Sequence, residues 1–153
     1  MRIETGFRKT IGHLAPGFAK SGSARPPLRL ARIWQGIGWL MVATVVWLSL
    51  TPDRFEPPTP LLTWDKAQHA LAYGSLMYWF GQAFQPHWRW PAFFLCLGIG
   101  LEFLQGVSGH RTFDAADILA NSIGVGLGLA LVRTPLGRLL SAVDARIGAI
   151  RFR

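Results

Sequence analysis

The sequence predicts an all-α polytopic membrane protein, an antiparallel four-transmembrane-helix bundle with both termini in the cytoplasm. Three observations carry this expectation. Half of the 153 residues are hydrophobic and only 16% are charged, against about 25% charged in a typical soluble domain. Four apolar runs follow one another, at 33–50, 67–84, 91–107 and 115–132. The positive charge gathers at the two ends, with seven of the 16 Lys and Arg in residues 1–32 and five in residues 133–153.

The first run, IWQGIGWLMVATVVWLSL, has 18 residues and no charge, the length at which a transmembrane helix becomes the natural reading. The 32 residues before it are too long for an ordinary leader, so a retained first helix is preferred to a cleaved signal peptide. The second run, AQHALAYGSLMYWFGQAF, is weaker and contains Gln68, His69, Tyr73 and Gln82. Taken alone it also fits a buried soluble helix. The third, PAFFLCLGIGLEFLQGV, is apolar except for Glu102 and Gln105, and Pro91 suits its first turn. The fourth, AADILANSIGVGLGLALV, starts polar and ends apolar. Each run spans about 27 Å as a helix, close to the hydrocarbon thickness of a bilayer.

Loop chemistry separates the runs. Residues 51–64 hold four Pro, which end the first helix firmly. Residues 85–90 and 108–114 are short, and short links make antiparallel neighbours. Most Trp residues read as anchors at the membrane interface. Lys20, Arg25, Arg29, Arg32, Arg89, Arg133, Arg138 and Arg146 then flank one side of the spans, and Arg54, Lys66 and Arg111 the other. That asymmetry puts the termini inside and the two longer loops outside. The domain reading is a basic, largely disordered arm at 1–32, a membrane domain at 33–132 and a basic tail at 133–153. In the tail, Leu136, Leu140, Val143, Ile147 and Ile150 repeat at helical spacing. They predict an amphipathic helix on anionic lipid of the inner leaflet, with a solvated tail as the alternative.

Several function classes drop out. Disorder throughout is excluded by the apolar content. Cys96 is alone, so disulfide frameworks, zinc fingers and CxxC redox motifs are absent. A net charge of +8 fits nucleic acid in general, but charge confined to the ends of an apolar chain fits a membrane surface better, and no nucleic-acid partner is expected. Protein partners stay unassigned.

The antiparallel arrangement brings scarce polar residues to one depth. Asp65, His69 and Tyr73 are spaced by four and share a face, as do Asp117 and Asn121. Glu102 lies about 8 Å below the outer end of the third run, with Gln105 on nearly the same face. These groups, with Lys66 and Arg111, are expected to form one network in the outer half of the membrane, because an isolated charge costs roughly 2.5–3.5 kcal/mol in a helix centre. The candidate acid–base or polar-core residues are Glu102, His69 and Asp117. The candidate substrate-binding residues are Asp65, Lys66, Tyr73, Gln105, Arg111 and Asn121. The His69 imidazole suits proton transfer, and Lys66 and Arg111 suit a phosphate or carboxylate headgroup. The alternative is that the network only locks helices together. A metal through His69, Glu102, Asp117 and His110 finds no HExxH or clustered-His support, so no metal and no cofactor is assigned. Ser49, Ser75 and Ser122 have no nucleophile motif. Gly124 and Gly128 form a GxxxG packing face, and Gly98 and Gly100 are expected to allow close helix approach on the third run. Cys96 reads as inert.

Four segments carry a family likeness: TP at 51–52, DKAQHALAY at 65–73, EFLQ at 102–105 and RTFDAADILANSIGVGLG at 111–128. In order and spacing they resemble the VanZ-like family, over residues 34–132, with the arm and tail outside. The resemblance implies a small multi-pass protein of the bacterial cell (inner) membrane, and the family's namesake is associated with low-level teicoplanin resistance. It places the family's recurrent polar positions on Asp65, Lys66, His69, Tyr73, Glu102, Gln105, Arg111, Asp117 and Asn121. The function expected is binding of, or action on, a cell-envelope lipid or lipid-linked precursor in the outer leaflet. A non-enzymatic scaffold of an envelope complex and a proton-coupled small transporter are the alternatives, and whether the protein is an enzyme stays open.

Overall fold

The structure is a computed structural model that describes residues 27–51, 62–85, 88–108 and 113–151. The described residues are helical, with no strand among them. Four long helices come first: α1 at Ala31–Leu50, α2 at Leu62–Ala83, α3 at Arg89–Ser108 and α4 at Ala115–Val132. A 3-10 turn at Pro135–Arg138 then leads into α5 at Leu139–Arg151. α1, α3 and α4 are long and apolar enough to cross a membrane. The expected arm falls almost wholly outside the described residues, as do Pro52 and the loop residues His110 and Arg111.

Local chemistry explains the helix ends. α1 stops where Thr51 turns extended, just ahead of Pro52, since a residue before proline is pushed out of the helical region. α4 starts on Asp114, whose Oδ1 accepts the Ala116 N–H at 2.8 Å, the standard N-cap device. α2 begins at Leu62, five residues before its apolar run, so Asp65, Lys66 and His69 sit inside the helix and not in the loop ahead of it.

α2 is the middle of the molecule. It packs on α1, α3 and α4, most extensively on α4. This accounts for its weak apolar run, because a helix faced by other helices needs no continuous lipid-facing surface. Gly38 of α1 meets Trp79 and Phe80 of α2, Gly98 of α3 meets Asn121 of α4, and Gly74 of α2 meets Gly124 of α4. Consecutive helices therefore run in opposite directions, and α2 runs parallel to α4.

Glycine sets the α2–α4 spacing. A Cβ on Gly124 would overlap the Ala70 carbonyl oxygen, and one on Gly128 would overlap that of Gly74, so bare backbones touch along this crossing. Gly98 lets α3 approach Asn121 and Tyr73, whereas Gly100 has nothing within 4 Å and packs against nothing. The expected pair on α3 thus reduces to Gly98.

The apolar core lies toward the opposite end, built on Leu76, Phe80 and Phe94. Phe80 stacks on Phe84 at 4.6 Å and meets Phe94 edge-on at 4.9 Å, favourable ring geometries. Trp90 packs into the same cluster. Trp79 donates Nε1–H to the Trp34 carbonyl at 2.9 Å. These indoles serve packing, as does the half-exposed Trp39 against Phe80 and Phe93, while Trp47 and Trp88 remain exposed. Leu40, Leu71, Phe103, Leu119, Ile123 and Leu127 also point outward, and Cys96 is exposed with them. An apolar belt this wide is the surface of a protein solvated by lipid.

α5 docks through one member of the expected apolar repeat, Leu140, and turns the others outward. Leu140, Asp144 and Gly148 are buried, while Leu136, Leu139, Val143, Ile147 and Ile150 are exposed. Its start is capped from α2, where Gln82 Oε1 accepts the Leu140 N–H at 3.0 Å. The Tyr78 hydroxyl donates to the Leu136 carbonyl at 2.7 Å.

Candidate functional site

The start of α2, the end of α3 and the start of α4 meet at one end of the molecule, and the polar side chains collect there. The i, i+4 spacing on α2 turns Asp65 and His69 the same way, and the parallel α4 turns Asp117 and Asn121 toward them. Lys66 Nζ forms ion pairs with Asp117, with Asp114 at 2.5 Å and with Asp65 Oδ2 at 3.7 Å. The His69 Nδ1–H donates to Asn121 Oδ1 at 3.2 Å. His69 Nε2 lies 3.7 Å from both Asp65 Oδ1 and Asp117 Oδ2. Asp117 is 7% exposed.

Glu102 enters from α3. It is 2% exposed, and its Oε1 accepts the Asp114 N–H at 2.6 Å. It thereby holds the first backbone donor of α4, where a carboxylate is also favoured by the helix dipole. Tyr73, one turn beyond His69, packs its ring beside Gly98 and interacts electrostatically with Glu102. Its buried hydroxyl has no hydrogen-bond partner among the described residues.

Among the described residues, three carboxylates therefore surround one ammonium. Lys66 is committed to all three and orders the cluster, so its charge is balanced within the protein. At the rim, the Lys66 ammonium and the Ala116 N–H hold the Asp114 carboxyl below its ordinary range. The structure thus brings together Asp65, Lys66, His69, Asp117 and Asn121, with Glu102 joined through the Asp114 backbone and Tyr73 alongside. Gln105 turns away. Its Nε2–H donates to the Ser49 carbonyl at 2.7 Å, tying α3 to the last turn of α1. Arg111 lies outside the described residues.

Two polar residues were not among the expected site residues. Asp114, both α4 cap and Lys66 partner, stood outside the candidate set. Asp144 is the larger omission. It is 3% exposed and accepts the N–H of Arg29 at 2.6 Å, that of Leu30 at 3.0 Å and the Trp34 indole N–H at 2.8 Å. A residue of α5 thus caps α1. The available signal was a lone acid in a basic tail, on the same helical face as Leu140 and Gly148.

Helices clad in outward apolar side chains, three of them long enough to span a bilayer, define a small membrane protein with a charged cluster at one end. The chain belongs to the VanZ/LLP1 family, whose model matches residues 21–139. The match reaches beyond the membrane helices, taking in part of the basic arm and the 3-10 turn that were expected to lie outside it. Searches among curated proteins and solved structures give no match.

Proposed function

We propose that the protein is a four-span protein of the bacterial inner membrane, with both termini cytoplasmic and the charged cluster at the outer leaflet. There it binds or acts on an envelope lipid or lipid-linked precursor, and so lowers susceptibility to teicoplanin-like glycopeptides. The observation that carries this reading is the convergence of His69, Asp65, Asp117 and Glu102 at one end of helices that are otherwise lipid-facing. Ionisable groups at membrane depth mark function more often than bulk stability. His69, oriented by Asn121 and flanked by two carboxylates, is built to take and release a proton. Family membership supports the link to resistance. At the other end, the outward stripe of Leu136, Leu139, Val143, Ile147 and Ile150, beside exposed Arg138 and Arg146, fits the anionic inner leaflet.

The test is teicoplanin susceptibility of cells expressing the parent, His69→Ala or Glu102→Gln at equal membrane levels. Loss of protection in both variants is expected. Protection equal to the parent in both sinks the proposal. A scaffold role is favoured by a different observation: Glu102 and Gln105 form ties to the Asp114 and Ser49 backbones. In that case a stoichiometric protein partner cross-links in native membranes and no lipid co-purifies.

A further inference from the structure

We propose that Asp65, His69 and Asp117 form a binding site for one divalent transition-metal ion of the zinc class, at the crossing of α2 and α4. Each offers a ligand atom, and the three atoms lie within 4.8 Å of one another. The division of oxygens is specific. Lys66 faces Asp65 Oδ2 and Asp117 Oδ1, while Asp65 Oδ1 and Asp117 Oδ2 face His69 Nε2. With the Asn121 oxygen accepting at Nδ1, the neutral imidazole presents its Nε2 lone pair to two carboxylate oxygens at 3.7 Å. Three electron-rich atoms directed at one another repel, and a cation at their centre converts that repulsion into ligation. Ligand atoms around a tetrahedral zinc ion sit about 3.4 Å apart, given bonds of about 2.0–2.2 Å, close to the 3.7 Å that separates His69 Nε2 from each carboxylate oxygen.

Asn121 supplies what a metal-binding histidine ordinarily has, a partner on its other nitrogen that fixes tautomer and ring angle. The charge balance permits a dication, because Asp65, Asp114, Asp117 and Glu102 together outnumber Lys66 by three charges. One turn from His69 on the same helix face, the Tyr73 hydroxyl is buried without a hydrogen-bond partner among the described residues, and a water bound to the metal is the partner the proposal gives it. Imidazole with carboxylate selects zinc-like ions over magnesium. The helix spacing hides the site, since its ligands come from two helices and no single stretch carries a metal motif. The inference does not rest on the lipid reading, because the metal itself is the probe.

The full-length protein, stripped with chelator and held in detergent micelles or nanodiscs, is titrated calorimetrically with Zn²⁺ and Mg²⁺ near neutral pH. One Zn²⁺ per chain at micromolar affinity or tighter is expected, with Mg²⁺ far weaker. His69→Ala and Asp117→Asn should abolish it, Asn121→Ala should weaken it by about 10–100-fold, and Lys66→Met should retain it. The cobalt form of the parent should show visible absorption bands of a nitrogen–oxygen site, a readout that needs no variant to fold. Absence of saturable zinc binding by the parent overturns the proposal, as does a folded His69→Ala variant that binds as tightly.

Discussion

Asp144 shows how much one buried side chain can hold. Burial pushes its carboxyl up, but bonds from the Trp34 indole and the Arg29 and Leu30 N–H groups outweigh it and leave it below its ordinary value. The folded value is therefore lower than the unfolded one of about 3.9. Its contribution is fully present above that value and is lost as pH falls through the folded one. Asp144→Ala strands three donors, two of them at a helix start. A cost of roughly 2 kcal/mol or more follows, read as a lower Tm in detergent, together with a weaker acid-induced loss of near-ultraviolet circular dichroism than the parent shows. A variant with the parent's Tm would remove Asp144 from the capping role. The residue was not legible in the sequence because its partners lie 110 to 115 positions away, and no local spacing encodes that. Asp65 with His69 and Asp117 with Asn121 were legible, because four-residue spacing is local. Which oxygen meets which nitrogen depends on the register of α2 against α4, which spacing along one helix does not carry.

Among the elements, α1, α3 and α4 were readable from run length alone. α2 was the least distinct run because it is the most enclosed, with helices where the others have lipid. α5 turns most of its apolar repeat outward, but Leu140 of that repeat is buried and the helix attaches through Leu140, Asp144 and Gly148. The α2–α4 crossing makes the clearest prediction at this scale. Gly124→Ala puts a methyl into the Ala70 carbonyl, and overpacking of this kind costs roughly 1–3 kcal/mol. Gly126→Ala, on the open side of the same helix, should be neutral or slightly stabilising, as alanine favours helix by about 1 kcal/mol. Thermal unfolding of both variants in the same micelle checks this, and equal Tm values for the two would show that the crossing tolerates a looser fit. The same change bears on the site, because His69 and Asn121 lie just ahead of this contact and part with it.

For the molecule as a whole, the asymmetry of Lys and Arg fixes an expected orientation. Reporter fusions at either terminus should be active only as cytoplasmic reporters, and a cysteine placed at Asp53 or Thr112 should label from the outside in intact cells. Labelling from the inside would invert the assignment and put the cluster at the inner leaflet. The spans of α1, α3 and α4 were legible because lipid imposes run length. The commitment of Lys66 to three carboxylates was not, because Lys66 and Arg111 looked equally free to meet an external anion until Lys66 was seen surrounded.

The bond from Asp144 to the start of α1 also has a meaning in time. The first helix is synthesised about 115 residues before the carboxylate that secures its beginning. During biogenesis its opening turn must wait, with two N–H groups unsatisfied by the protein, until α5 has been made and has folded back. Until then the hydrophobic segments are all present while the entry of the first one stays unfastened.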